Sequence, residues 1–162
     1  MNKLLDNYLC EKYPKIFAER NLTPRQSCMS EGITCGDGWF SLLHNLCHMI
    51  QHHIDNLELN SITTPICPQF VAKQVKEKFG GLRFYYEGGD KFISALVEQA
   101  ENLSYDICED CGVMDNTVGK NTDGWVRTTC VKHTHKPDTF KINGDEKLKE
   151  IFEQIEFMKP LT

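Results

Sequence analysis

No apolar run in this sequence approaches the ~20 residues that a membrane-spanning helix needs, so no membrane association is expected. The first ten residues carry Lys3 and Asp6 and have no apolar stretch of leader length, so a secretory signal is not expected either. Internal repeats and low-complexity tracts are missing, and no linker rich in Pro, Gly and Ser divides the chain. Cations are the minority charge: 18 Lys and Arg face 23 Asp and Glu, a net of −5. A chain of that balance is a poor non-specific binder of nucleic acid. No GxSxG, P-loop or strand-borne GxGxxG occurs, so the common signatures of acyl transfer and of phosphate or dinucleotide cradling are lacking.

What is present is an ordinary globular composition, 40% hydrophobic and 25% charged over 162 residues. That length predicts a single compact domain, residues 1–162, with room for a substantial core. Eight cysteines are the unusual component. With no leader, a reducing and hence cytoplasmic setting is expected, where cysteines serve as metal ligands or buried thiols more often than as disulfides.

Residues 3–11 read as a helix with Leu4, Leu5, Tyr8 and Leu9 on one stripe, ended by Tyr13-Pro14, and 14–20 as a further helical turn. Residues 21–38 are loop. Asp37 is a candidate N-cap for a helix over 38–57, with Trp39, Leu43, Leu46, Ile50, His53, Ile54 and Leu57 as its inward stripe. Residues 58–69 read as loop. A hairpin over 71–87 turns at Gly80-Gly81, which pairs Phe79 with Leu82 and sets Lys78 opposite Arg83. Val75, Glu77, Phe79, Leu82, Phe84 and Tyr86 then face inward, and Gln74, Lys76, Lys78, Arg83, Tyr85 and Glu87 outward. Asp90 caps a helix over 91–104 with Phe92, Leu96, Val97, Ala100 and Leu103 inward, and a last helix is expected over 145–157. The fold class expected is α+β: several helices packed on a β-hairpin or small antiparallel sheet, with a C-terminal zinc-ribbon segment.

That segment, a subdomain at about 105–136, rests on ligand spacing. Cys108-x-x-Cys111-Gly112 is followed by Cys130-x-x-His133, and two such pairs supply the four donors of a closed tetrahedral Zn²⁺ site. A full set of protein donors implies a structural metal. His135 is an alternative fourth ligand to His133, and Gly124-Trp125-Val126-Arg127 reads as a strand entering the second pair. Cys10, Cys28, Cys35, Cys47 and Cys67 lack paired spacing; Cys47 reads as a buried thiol, and a second site from Cys28, Cys35, Cys47 and His48 is the weaker alternative. His44, His48 and His52 recur every fourth residue, but without the glutamate of a zincin motif they read as a solvated or partly packed stripe. Glu109/Asp110 and Asp145/Glu146 sit at a metal turn and a helix start, where acids serve structural ends. No catalytic residue set emerges.

Charge is uneven. Residues 68–91 carry five cations and three acids, against net negative flanks. The outward residues Lys76, Lys78, Arg83 and Tyr85 are therefore the candidate ligand-binding set: cations for a phosphate or carboxylate, and a tyrosine ring on which a base can stack.

The string Gln74-Val75-Lys76-Glu77-Lys78-Phe79-Gly80-Gly81-Leu82-Arg83-Phe84-Tyr85-Tyr86 follows Cys35-Gly36-Asp37-Gly38-Trp39-Phe40. It precedes Cys108-x-x-Cys111-Gly112, Gly124-Trp125-Val126-Arg127 and Cys130-x-x-His133. Together these resemble a family of small uncharacterised proteins encoded by bacteriophages and prophage-bearing bacteria, over residues 14 to 133. The resemblance brings no catalytic residues with it. It implies an accessory protein of the host-cell cytoplasm that modulates host machinery or antiviral defence. The expected partner is a host protein or a small anionic ligand such as a nucleotide. The alternative is a nucleic-acid-binding zinc ribbon using the basic hairpin face, and a third reading is an enzyme drawing His44, His48, Arg83 and Tyr85 from separate segments.

Overall fold

The computed structural model describes residues 1–59, 67–121, 124–135 and 140–142. Among them lie three α-helices and two small antiparallel sheets, an α+β fold with a Cys/His cluster toward the C-terminal side. The helix expected over 145–157 lies outside the described residues, as do residues 60–66. No described helix is long and apolar enough to cross a membrane.

Helix α1 (Lys3–Lys12) starts at Asn2, whose side-chain oxygen accepts from the Leu4 and Leu5 N–H groups. Its inward face differs from the expected apolar stripe. Leu4 and Tyr8 are exposed, whereas Asp6 is buried beside Leu9. Asp6 tolerates burial because Arg20 donates to its Oδ2 at 2.7 Å and the Ile33 N–H to its Oδ1 at 3.1 Å. The turns after Pro14 carry Ile16 and Phe17 into the core.

Helix α2 (Phe40–Leu59) follows a 3₁₀ turn at Asp37–Trp39. Trp39, Leu43, Leu46, Ile50 and Ile54 are buried, as their spacing predicts, while His53 and Leu57 are half-buried. Asp37 does not cap this helix. Its carboxylate accepts instead from the Asn2 backbone N–H and Nδ2, at 2.6 and 2.8 Å.

Strands β1 (Val71–Lys78) and β2 (Gly81–Glu87) form the hairpin, but its turn is Phe79-Gly80. Both turn residues have positive φ, 55° and 75°, the pattern of a type I′ turn. Gly81 belongs to the strand because Tyr105 occupies the space a side chain would need: a Cβ there would lie 2.4 Å from the ring. Lys76, not Lys78, therefore faces Arg83, and Lys78 faces Gly81. The register moves by an even step, so the other side chains keep their faces. Phe79 alone leaves the inner face and is 70% exposed at the tip. A bulge lies at Lys73, and that cation pairs with Glu19 and Glu87.

Helix α3 (Lys91–Leu103) is capped by Asp90, which accepts from the Ile93 N–H at 3.0 Å. Ile93, Leu96, Val97 and Ala100 are buried; Phe92, expected inward, is exposed against the His53 ring. The helix end also covers the free edge of β2: Glu101 Oε1 accepts from Phe84 N–H and Ser104 Oγ from Leu82 N–H, both at 2.8 Å. Strands β3 (Val118–Asn121), β4 (Thr128–Cys130) and β5 (Phe140–Ile142) make the second sheet, in the order β4-β3-β5. Residues 124–127, expected as strand, form the loop leading into β4.

Candidate functional site

Two short turns present the four cysteine and histidine donors. In the first, Gly112 N–H donates to Cys108 O and Cys108 N–H to Val113 O, both at 2.8 Å. In the second, His133 N–H donates to Cys130 O at 2.9 Å, directly after β4. Pairing of β4 with β3 and the bond from Val131 N–H to Thr117 O hold this second turn in place. Cys108, Cys111, Cys130 and His133 bring one ligand atom each within 4.8 Å of the others and are positioned to bind a metal ion. His135 stands outside the set. Burial opposes ionisation of Cys108, but backbone N–H groups of Cys111, Cys130 and Asp110 outweigh it and hold the thiol at about 7. Desolvation, with its thiol neighbours, pushes Cys111 up.

The first turn is gripped from outside. Gly38 N–H donates to Glu109 O at 2.8 Å, and the Trp39 indole N–H donates to Ile107 O at 2.9 Å. Only glycine fits at 38, since a Cβ would sit 2.2 Å from Cys108 O. Glu109 is buried; its Oε1 accepts from Gly36 N–H at 2.8 Å, and Arg127 pairs with it at 3.1 Å and with Asp110 at 2.7 Å. Burial raises the Glu109 pKa, and Arg127 opposes that rise. The hairpin turn docks on the same region, where Thr128 Oγ1 donates to Gly80 O at 2.6 Å. The motif strings around 35–40, 79–82 and 108–112 thus converge in space.

Lys76, Lys78, Arg83 and Tyr85 share the outer hairpin face. Lys76 Nζ stands 5.4 Å from the Tyr85 ring centre, and Lys78 Nζ 5.4 Å from that of Phe79. Arg83 is more enclosed: it donates to Tyr105 Oη at 2.7 Å and to Leu82 O at 2.6 Å. Lys120 Nζ lies 3.5 Å from the centre of the same Tyr105 ring. Sequence reasoning missed Tyr105 and Lys120, which no spacing ties to the hairpin. It also missed the exposure of Phe79 and Trp125, at 70% and 76%. Trp125 had a signal: it sits in a short segment between the ligand pairs, where a small sheet cannot bury both faces.

The other candidates separate. Among the described residues no other group of three or more such donors comes close enough for a metal, so Cys28, Cys35, Cys47 and His48 do not form a second site. Cys35 and Cys47 are buried thiols; burial pushes Cys35 up to about 12 and raises Cys47 as well. His44 packs among Tyr8, Tyr13 and Phe40, and His48 and His52 lie side by side on the exposed face of α2. His44 and Arg83 sit in different surroundings, His44 on Tyr13 and Arg83 on Tyr105. Comparison of the chain with protein-family models, with curated proteins and with solved structures finds no match.

Proposed function

We propose that this chain is a non-enzymatic, zinc-holding accessory protein of phage type. It acts in the host cytoplasm by binding a small anionic host ligand on the outer face of the hairpin. The observation that carries the reading is electrostatic. Arg20, Lys73 and Arg127 each pair with carboxylates, whereas Lys76, Lys78 and Arg83 gather on one face with no carboxylate ion pair among the described residues. On a chain of net charge −5, so compact a basic face favours a small anion over a long polyanion. Zinc is supported by the donor chemistry, three thiolates and an imidazole. It is supported also by spacing: Sγ of Cys111 and Cys130 are 3.9 Å apart, and Nδ1 of His133 is 3.7 Å from Cys108 Sγ and 3.2 Å from Cys130 Sγ, a contact that a bound ion would widen slightly. Donors held at roughly 2.0–2.3 Å around a tetrahedral centre stand about 3.5–3.8 Å from one another. Four protein donors complete that shell, so the metal's role is to hold the two turns together.

The test uses inorganic pyrophosphate as probe, by titration calorimetry at low salt. Saturable binding is expected, with a tenfold or greater loss in the Lys76→Ala/Lys78→Ala double variant and little change in thermal midpoint. Arg83→Ala is the poorer choice, because Arg83 also ties β2 to Tyr105. Absence of pyrophosphate binding by the unaltered protein would sink the reading.

A further inference from the structure

Resting on the anion-binding reading above, we infer that the groove between the hairpin turn and the ribbon loop receives the base of a free nucleotide. The base lies against Phe79 and Trp125, and the phosphate meets Lys78 and Lys76. The groove has a volume of about 340 Å³ and is lined by Glu77, Lys78, Phe79, Gly124, Trp125 and Val126. That is at the small-ligand end of the usual range of about 300–1,000 Å³ for ligand pockets.

The first support is the cost of Phe79. The first central position of a type I′ turn suits Asn, Asp or Gly, and a bulky aromatic at φ 55° is a backbone outlier. Such outliers persist where the surrounding structure enforces them, and they cluster at ligand sites. Phe79 gains no burial in return, being 70% exposed. The fold therefore holds a large ring out into solvent in a conformation that disfavours it.

Trp125 supplies the second support. Its side chain is 76% exposed, yet the backbone that follows it is fixed by Asn121. Asn121 Nδ2 donates to Trp125 O at 2.7 Å, and its Oδ1 accepts from Arg127 N–H at 2.8 Å. The turn and the loop that carry the two rings are joined by the Thr128–Gly80 bond. Two aromatic side chains are thus presented to one groove by backbones that are tied to each other.

The occupant follows from what borders the rings. Lys78 lines the groove, Lys76 follows it along β1, and Arg83 faces Lys76 across the hairpin from β2. Among the described lining residues the one carboxylate, Glu77, accepts from the Gly80 N–H at 2.6 Å and so closes the turn. Aromatic faces next to cations suit a flat heteroaromatic ring that carries phosphate, and base–aromatic stacking tolerates any base. The chain's net charge of −5 favours a free nucleotide over a strand.

The test is fluorescence titration of the zinc-loaded full chain with AMP and GMP, with adenosine and guanosine and with an RNA octamer, beside titration calorimetry with pyrophosphate, which has no base to quench. Trp39 is fully buried, so saturable quenching by a stacked base reports on Trp125. Nucleotides are expected to bind at least tenfold more tightly than the nucleosides and than pyrophosphate. Phe79→Gly, which glycine's freedom at positive φ allows to fold, is expected to lower nucleotide affinity to that of pyrophosphate. Pyrophosphate binding with no preference for nucleotides overturns the groove assignment while the anion-binding reading stands. No binding of either overturns both. Tighter binding of the octamer with a steep salt dependence overturns the free nucleotide in favour of nucleic acid.

Discussion

Asp6 is a carboxylate at 5% exposure, with a guanidinium on one oxygen and a backbone N–H on the other. Replacing it with alanine leaves Arg20 half-buried without its counter-charge and the Ile33 N–H without its acceptor. Removal of one partner from a buried pair costs about 3–5 kcal/mol, which is the loss expected for Asp6→Ala in urea unfolding. Asp6→Asn retains an acceptor for Ile33 and is expected to lose less. A loss below about 1 kcal/mol in the alanine variant would show that water replaces the carboxylate. The pair was not legible in the sequence. Hydrophobic periodicity places Leu4 and Tyr8 on the inward face of α1, and nothing local marks Arg20, in a later turn, as the partner that brings Asp6 inside.

Helix α3 depends on Asp90 in two ways, as its N-cap and as the partner of His53 on α2 at 2.8 Å. Those contacts, the His53 hydrogen bond first and then the Ile93 N–H, hold the Asp90 carboxyl below the usual carboxylate range. A group with a lowered native pKa stabilises fully above its unfolded value, near 3.9 for aspartate, and ceases to do so as pH falls through the native value. Asp90→Ala is expected to cost about 1 kcal/mol at pH 7, and the variant and the parent are expected to converge as pH falls through the lowered native value of Asp90. A gap that persists unchanged to about pH 2 would contradict an ionic cap. This cap was readable because Asp90 precedes an amphipathic run directly. The hairpin was readable in its faces but not in its turn. Gly80-Gly81 offered the easier turn, and the ring that closes off Gly81 comes from Tyr105, which no pattern in β1 or β2 announces. Asp37 misled for a related reason: its position suits a cap, but Asn2 takes up its carboxylate.

Across the whole molecule the metal turn is the meeting point of the Gly36–Trp39 segment, the hairpin turn and the second sheet. Elemental analysis is expected to return one zinc per chain, and chelation at pH 7 to lower the thermal midpoint by about 10 °C or more, a loss of several kcal/mol. Folded protein purified without chelators and carrying almost no zinc would rule the metal out. The ligand set was legible because each pair is local, with two residues between its members. The docking of residues 36–39 on it was not, because a glycine that touches a distant carbonyl looks in sequence like any loop glycine.

The bond from Gly36 N–H to Glu109 spans 73 residues, and that from Trp39 to Ile107 spans 68. A ribosome adding roughly 5–20 residues per second leaves this segment waiting on the order of 4–14 s for its acceptors. During that time the start of α2 has emerged while the groups that fix its entry have yet to be translated. Docking of the Gly36–Trp39 segment and assembly of the four Cys and His donors therefore both await translation of residues beyond 106. A nascent chain that ends before Ile107 lacks the carbonyl that accepts from the Trp39 indole N–H, so the entry to α2 is left without that tie until Ile107 is added.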